Sequence, residues 1–316
     1  MTSRPGLPLT FIIPVLNGER FMERCLEYIR RESAPGDEII VVDNGSRDRT
    51  VALVRAAPGV TLLEAPGVTI AGLRNLGARA ARNGTLAFID ADCLVCPGWR
   101  ASVERVLSDP AVTATGSYYD VPEQSTWVER AWWSFRPRHE HRATFIISGN
   151  LIVRKAAFDA VGGFDATLVT DEDTDLSRRL VAAGAVLVEA PSVRVIHLGN
   201  AKTLRHFYRK EKWHATSILA TMRSHTIDRP MMLTFLFLLS IGMAAAAPFV
   251  LHGPFVPVVM LLCLLTAPGI TALYKVYTHG NYRYFFQLLP LYFVVYLVRS
   301  LILIEAALKP RAAAAQ

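Results

Sequence analysis

The sequence predicts an α/β domain with a mostly parallel sheet, followed by a membrane anchor made of helices. Short apolar, β-branched runs alternate with segments of helical spacing in the first part of the chain, and this alternation is typical of strands joined by crossover helices. Three long apolar runs follow. Of the 86 residues from Met231 onward only six carry a formal charge, whereas the preceding residues have the charge content of a soluble domain.

The α/β part begins with four segments that have the composition of buried strands. These strands are predicted at 10–15, 38–43, 60–63 and 86–90, and the helices between them at 17–31, 48–56 and 70–83. Right-handed crossovers then give a parallel sheet, in which ligands bind beyond the carboxyl ends of the strands. Polar residues follow three of the strands at that edge: Asn17 and Glu19, Asp43 to Ser46, and Asp90 and Asp92.

The chain has neither of the glycine-rich motifs that usually cradle phosphate, G-x-G-x-x-G and G-x-x-x-x-G-K-[ST]. A bound phosphate would therefore need another counter-charge. Asp90 and Asp92 stand one residue apart at the end of an apolar strand. Such oxygen ligands suit Mg²⁺ or Mn²⁺, which takes one or two protein carboxylates together with substrate phosphates. Cys93 and Cys96 form a C-x-x-C without a second ligand pair, which favours packing over a zinc or redox role.

Four blocks form the most specific pattern in the sequence. They read FIIPVLNGE, VVDNGSRDRT, GLRNLGARAARNGTLAFIDADC and SGNLIVRKAAFDAVGGFDATLVTDEDTDLSRRLVAAGA. In order and spacing they resemble family 2 glycosyltransferases, which have the GT-A fold, and membrane-anchored bacterial members in particular. The resemblance runs from Leu9 to Arg209 and implies sugar transfer from a nucleotide-sugar donor.

The resemblance also implies roles for single residues. Asp173 would be the catalytic base, Asp92 the direct metal ligand, and Asp90 a residue near the ribose and a metal-bound water. His197 would be a third metal ligand, with a packed, hydrogen-bonded histidine as the alternative. The nucleotide-sugar pocket would comprise Pro14, Asn17, Glu19, Asp43, Asn44, Ser46, Arg74, Asn75, Asp90, Ser148, Gly149 and Asn150.

Asp173 belongs to a dense group of acids that includes Asp171, Glu172 and Asp175. Repulsion between like charges raises the proton affinity of such groups, which suits a general base. Acids also favour the amino end of the helix predicted at 174–183. Both roles are compatible if Glu172 and Asp175 cap the helix or pair with arginines while Asp173 faces the acceptor.

Two further segments have the composition of contact surfaces. Residues 127–142 are rich in aromatic and basic side chains, which makes Trp132 and Trp133 candidates for acceptor contact. Packing of these tryptophans on the core is the alternative. Outside this segment, Glu172 and Arg209 are further candidates for acceptor contact. Residues 201–230 predict a basic amphipathic helix that rests on anionic lipid. Because its charge lies at the membrane junction, we expect membrane lipids as partners and no nucleic acid.

The anchor comprises residues 231–316, with helices predicted at 231–251, 255–274 and 285–308. Arg299 and Glu305 lie inside the third run, so an interfacial or re-entrant course is an alternative there. The loop between the second and third runs contains Lys275 and Arg283. The positive-inside rule places that loop, and the catalytic domain of residues 1–200, in the cytoplasm at the bacterial inner membrane.

The sequence thus predicts an inverting transferase that uses Mn²⁺ or Mg²⁺, a UDP- or GDP-sugar and a lipid-linked acceptor, in cell-envelope glycan or glycolipid synthesis. The Q-x-x-R-W motif of processive synthases is replaced by HFYRKEKWH, which favours transfer of single sugars. Two alternatives come from other classes: a non-catalytic membrane scaffold with the same fold, and a nucleotidyltransferase. The second would typically carry a glycine- and lysine-rich loop after the first strand, where this chain has PVLNGER.

Overall fold

The computed structural model describes residues 6–215 and 229–308. It divides into two compact units. The first comprises the residues up to Glu123 together with Arg136–Asn200, and the second comprises Gln124–Phe135 with the residues from Ala201 onward. Residues 216–228, which contain much of the predicted basic helix, and residues 309–316 lie outside the described part.

The first half of the first unit is the predicted succession of strands and helices. Within the described residues, β1 (Leu9–Val15), β2 (Glu38–Asp43), β3 (Val60–Glu64) and β4 (Thr85–Ile89) run parallel in the order β3-β2-β1-β4, and α1 (Met22–Glu32), α2 (Thr50–Arg55) and α3 (Ile70–Ala80) connect them. Every residue of β1 is buried. β1 is therefore central, and its carboxyl end lies between those of β2 and β4.

The sheet continues with strands of mixed direction. β8 (Asn150–Arg154) pairs antiparallel with both β4 and β6 (Val112–Gly116), β9 (Val186–Glu189) lies parallel to β6, and β7 (His141–Ala143) forms the antiparallel edge. Helices α4 (Trp99–Leu107), α6 (Lys155–Ala160) and α7 (Glu172–Ala182) belong to the same unit. The mostly parallel sheet predicted from the sequence is confirmed.

A second, two-stranded sheet lies outside this main sheet. β5 (Cys93–Val95) pairs antiparallel with β10 (Val195–His197), and the register sets His197 opposite Cys93. The ribbon thereby brings a histidine from the end of the unit beside Asp92, the residue that precedes β5. Residues about one hundred positions apart in the chain meet through this pairing.

Several helices differ in their bounds from the sequence prediction. In the second apolar run, the helix expected at 255–274 extends to His279 and so includes Lys275, which was expected in the following loop. The helix expected at 17–31 begins at Met22, because Asn17 has a φ of 52° and its backbone and side chain are bonded to the next loop. The helix expected at 70–83 ends at Ala80, and Asn83 instead donates to the carbonyls of Leu9 and Gly36. The helix expected at 174–183 begins earlier, at Glu172.

The second unit is helical in the part that the structure describes. It contains α5 (Trp127–Trp133), α8 (Leu204–His214), α9 (Arg229–Val250), α10 (Val256–His279) and α11 (Phe285–Leu308), with a short 3₁₀ turn at Tyr282–Tyr284. Among the described residues, three segments are long and apolar enough to cross a membrane: Arg229–Val250, Val256–His279 and Tyr282–Leu308. Several of their large side chains, such as Phe249 and Phe286, are exposed, as expected of helices that face lipid.

Helix α8 packs against α11 within this unit. Ala215, which follows α8, joins Val298 and Ile302 in a small apolar cluster, and Tyr208 packs against it. Burial raises the pKa of Glu211 to about 7, against the attraction of Arg299. Arg299 thus has an acidic neighbour on α8, which is how a cation inside an apolar helix is usually accommodated.

Candidate active site

The turn after β2 is organised around the buried carboxylate of Asp43. Its Oδ1 accepts hydrogen bonds from the backbone N–H groups of Gly45 and Ser46, both at 2.8 Å, and the Ser46 hydroxyl donates to Oδ2. Gly45 has a φ of 80° and a Cβ there would lie 2.9 Å from Pro66, so this turn requires glycine. Asn44 accepts from the N–H of Val68 at 3.1 Å and holds the turn against the next segment.

The loop after β1 is bonded directly to this turn. The Ser46 hydroxyl oxygen accepts from the N–H of Asn17 at 2.8 Å, and Asn17 Oδ1 accepts from the N–H of Arg47 at 2.9 Å. Glu19 accepts from the N–H of Arg49 at 2.9 Å. Pro14 lies inside β1 with Val42 as its register partner. The structure therefore brings the predicted residues of strands one and two together at one edge of the sheet.

Arg74 occupies the centre of a buried ion-pair network. Its Nη2 donates to Asp90 Oδ1 at 2.7 Å and its Nη1 to Glu172 Oε1 at 2.6 Å, and the guanidinium lies over the Phe164 ring. Only 1% of the residue is exposed. A buried guanidinium needs such partners to offset its desolvation. Arg74 consequently joins the D-x-D strand to the start of α7.

Two residues expected in the donor pocket use their amide groups inside the fold. Asn75 exchanges two hydrogen bonds with the backbone of Phe164, at 2.7 and 2.9 Å. Asn150 accepts from Trp99 Nε1 at 3.0 Å and donates to the Val193 carbonyl at 2.8 Å. Both side chains therefore position neighbouring segments.

Four potential ligand groups converge beyond β4. Each of four residues offers one ligand atom, and these atoms lie within 4.8 Å of one another; the residues are Asp90, Asp92, Cys93 and His197. His197 Nε2 is 3.2 Å from Asp92 Oδ1, while its buried Nδ1 has no hydrogen-bond partner among the described residues. A Cβ on Gly199 would lie 1.9 Å from Asp92 Oδ2, so a side chain at position 199 would displace that carboxylate from its observed position.

This donor set fits a divalent cation such as Mn²⁺ or Mg²⁺, because it offers carboxylate oxygens and an imidazole. Burial raises the pKa of the Cys93 thiol well above its ordinary value. A thiol is a soft ligand, whereas Mg²⁺ and Mn²⁺ prefer oxygen ligands, which agrees with the packing role predicted for Cys93. Asp90, Asp92 and His197 are the residues that would hold the ion.

Tyr119 contacts two of these groups and was not found from the sequence. Its hydroxyl donates to Asp90 Oδ2 at 2.8 Å, and its ring stacks on His197 with centroids 4.4 Å apart. A Cβ on Gly149 would lie 2.1 Å from both the Tyr119 hydroxyl and Asp90 Oδ2. Burial disfavours ionisation of Asp90, but Arg74, His197 and the Tyr119 hydroxyl together keep its pKa below the usual value.

Replacing Tyr119 by Phe is expected to weaken Mn²⁺ binding about tenfold, because partners behind metal ligands typically contribute that much affinity. The purified full-length protein would be titrated with Mn²⁺ and followed by electron paramagnetic resonance. Tyr118→Phe is the matched control, since the Tyr118 ring packs beside Phe145. Equal Mn²⁺ affinity in Tyr119→Phe and the unaltered protein would contradict a positioning role for the hydroxyl.

Asp173 lies in the first turn of α7 beside the Ser148 backbone. Its Oδ2 accepts from the N–H of Ser148 at 3.2 Å, and the Ser148 hydroxyl donates to Glu172 at 3.2 Å. Burial, and then repulsion by Glu172, raise the pKa of Asp173 to about 6. A carboxylate with such a pKa is ionised at neutral pH and still accepts a proton readily.

The neighbouring acids have other partners. Glu172 is buried against Arg74, whereas Asp175 pairs with Arg178 at 2.8 Å and Arg179 at 2.7 Å. Asp171, which precedes the helix, has a φ of 62°. Asp173 thus has a raised pKa and lies outside the ion pairs that Glu172 and Asp175 form.

The candidate acceptor residues outside this group belong to the second unit. Trp132 packs in that unit's core, with ring centroids 4.8 Å from Phe207 and 5.6 Å from Tyr292. This agrees with the packing alternative for the tryptophans. Trp133 is half-buried and Arg209 is exposed on α8.

The mixed sheet and the acidic residues at its edge define a GT-A-type domain. Residues 10–166 match the family described as Glycosyl transferase family 2. The chain belongs to this family, as its motifs indicated.

Among curated proteins, the chain is similar to the Pre-mycofactocin glycosyltransferase of Mycobacterium tuberculosis (strain CDC 1551 / Oshkosh), with 28% identity over 205 residues that cover 60% of this chain and 42% of that protein. Glycosyltransferase AglE of Haloferax volcanii is 26% identical over 201 residues, which cover 60% of this chain and 66% of AglE. The chain therefore matches less than two thirds of the length of either relative.

A solved structure shares the fold. Mannosyltransferase PcManGT from Pyrobaculum calidifontis, in complex with GDP-Man and Mn²⁺, superposes with a TM-score of 0.64 at 19% identity. The match covers 95% of this chain and 88% of that one. At this level of identity the similarity establishes the fold.

Proposed function

We propose that the protein is an inverting, metal-dependent glycosyltransferase that moves a sugar from a UDP- or GDP-sugar to a lipid-linked acceptor in cell-envelope glycan or glycolipid synthesis. The arrangement of Asp173 and the Asp90–Asp92–His197 group supports this proposal most strongly. Arg74 joins the two parts through Asp90 and Glu172. A base with a pKa of about 6 and a cation site thus stand in one buried network.

The chemistry assigned to this network is a single displacement at the anomeric carbon. Asp173 takes the proton of the acceptor hydroxyl while the acceptor oxygen bonds to that carbon. The bond from the carbon to the diphosphate oxygen breaks, and the nucleoside diphosphate leaves with the electron pair. A divalent cation held by Asp92 and His197 would supply positive charge for the leaving diphosphate.

Donor recognition is assigned to the two bonded loops after β1 and β2. Asp43, Ser46 and Asn17 form a rigid edge there, and rigid loops at the carboxyl ends of parallel strands are the usual place for a nucleotide. The complex of PcManGT with GDP-Man and Mn²⁺ supports a nucleoside-diphosphate donor and Mn²⁺ as the first ion to test.

The lipid linkage and the orientation are inferred from the second unit. Its described helices include three of membrane-spanning length and a basic helix, α8, just before them. A helix of this composition is attracted to anionic lipid. Lys275 and Arg283 near the end of α10 favour a cytoplasmic position for that end, and hence for the catalytic unit at the inner membrane.

A donor screen tests the activity directly. The full-length protein in lipid nanodiscs would be supplied with UDP- and GDP-sugars, Mn²⁺ or Mg²⁺, and an isoprenyl-phosphate acceptor. We expect release of nucleoside diphosphate matched by sugar on the lipid. Release of pyrophosphate instead would indicate a nucleotidyltransferase, and equal transfer to water-soluble sugars would contradict the lipid-linked acceptor.

A further inference from the structure

Lys275 lies in a cage of aromatic rings within the second unit. Its Nζ is 4.9 Å from the ring centroid of Trp132, 5.2 Å from that of Phe135 and 6.0 Å from that of Tyr292. The rings come from α5, the residues after it and α11, and they close around the last turn of α10. Lys275 as a whole is half-buried, so part of its side chain remains exposed.

This ammonium group has no acidic partner among the described residues. Contact with an aromatic face stabilises a cation by less than its removal from water costs. The rings therefore offset only part of the cost. Arg299, the cation inside α11, differs from Lys275 in this respect, because it has the acidic neighbour Glu211 on α8.

The cage also lies near the end of a helix of membrane-spanning length. Lys275 precedes the end of α10 at His279 by about one helical turn, roughly 6 Å. Arg283 follows in the 3₁₀ turn and stacks on Tyr284, with 4.7 Å from its guanidinium carbon to the ring centroid. Aromatic and basic side chains at a span end are typical of the membrane interface, where the abundant anion is lipid phosphate.

We propose that the Lys275 cage binds the phosphate group of a lipid. The ammonium group would bind the phosphate oxygens, while the half-buried Trp132 ring would contact the first carbons of the attached chain. The inference rests on the proposed function for the membrane-facing role of this unit. The phosphate could belong to an isoprenyl-phosphate acceptor or to a phospholipid headgroup.

Lipid retention by the full-length protein tests this site without any donor sugar. Native mass spectrometry would measure binding of farnesyl phosphate, dioleoylphosphatidylglycerol and inorganic phosphate to the unaltered protein and to Lys275→Met. We expect affinity for at least one of the two lipids to fall about tenfold, the effect of losing one good ionic hydrogen bond. Arg283→Gln is the matched control, since it removes the same charge at the same end outside the cage.

The possible results separate the two sources. A loss confined to farnesyl phosphate supports an acceptor subsite, and a loss that includes dioleoylphosphatidylglycerol supports a headgroup site. Unchanged retention of both lipids in Lys275→Met, an equal loss in Arg283→Gln, or equal affinity for inorganic phosphate would overturn the proposal. Because no donor is present, failure here leaves the transfer activity untouched, and failure of transfer leaves this result untouched.

Discussion

Replacement of Asp173 by Asn is expected to lower kcat by about 10²–10⁴-fold, the range that a positioned general base contributes. The amide keeps the size of the side chain but cannot take the proton of the acceptor hydroxyl. Release of nucleoside diphosphate in the presence of acceptor is the measurement. Binding of Mn²⁺ should persist, because Asp173 lies outside the group of potential ligands formed by Asp90, Asp92, Cys93 and His197.

Asp175→Asn is the matched control for this variant. It makes the same chemical change two residues further along α7, where the carboxylate is paired with Arg178 and Arg179. We expect its kcat to remain close to that of the unaltered protein. Similar losses in both variants would show that the helix, and not the base, is responsible.

The pH dependence provides a second readout for Asp173. Because the base acts in its ionised form and burial raises its pKa to about 6, kcat/KM should fall about tenfold per pH unit below that value.

The pKa of Asp173 is higher in the folded than in the unfolded protein, so this carboxylate lowers the stability of the fold as pH rises from about 4 to 6. Asp173→Asn should therefore melt no earlier than the unaltered protein at pH 8, and a lower Tm there would contradict this environment.

Replacement of Asp92 by Ala should abolish detectable Mn²⁺ binding and lower transfer about 10³-fold. Stabilisation of a leaving group by a metal ion amounts to several kcal/mol, and each 1.4 kcal/mol corresponds to a factor of ten. Asp92 lies next to His197, so the substitution removes one of the two neighbouring side chains that would hold the ion. Electron paramagnetic resonance measures the binding and nucleoside diphosphate release measures the transfer.

Cys93→Ala is the control for the metal site. Its thiol belongs to the same group of potential ligands but is expected to stay protonated, so Mn²⁺ affinity should not change. If Cys93→Ala weakened binding as much as Asp92→Ala, the thiol would be a ligand and the site would suit a softer metal.

The parallel half of the sheet was predictable from local features of the sequence. Four apolar strands separated by helical segments predict the parallel half of the sheet, and the observed β1 to β4 agree with them. Helix ends were less predictable, because side chains from distant loops decide them. At Asn17, for example, the backbone N–H donates to the Ser46 hydroxyl oxygen, and the helix that the spacing suggested there begins only at Met22.

The site was predictable where a motif marked it and not where only the fold assembles it. Asp92 stands in a D-x-D, but Tyr119 has no local pattern and reaches Asp90 through tertiary packing. Likewise, Arg74 was expected near the nucleotide, while its ion pair with Glu172 spans 98 positions. Contacts of that length depend on the finished fold, which local periodicity does not encode.

The anomeric configuration of the product tests the central proposal most directly. Sugar would be transferred from a donor of known configuration by the full-length protein, and the product analysed by nuclear magnetic resonance before it can equilibrate. A single displacement with Asp173 as base predicts the opposite configuration to that of the donor. A product with the donor's configuration would contradict it, because two displacements, or a different mechanism, would then be required.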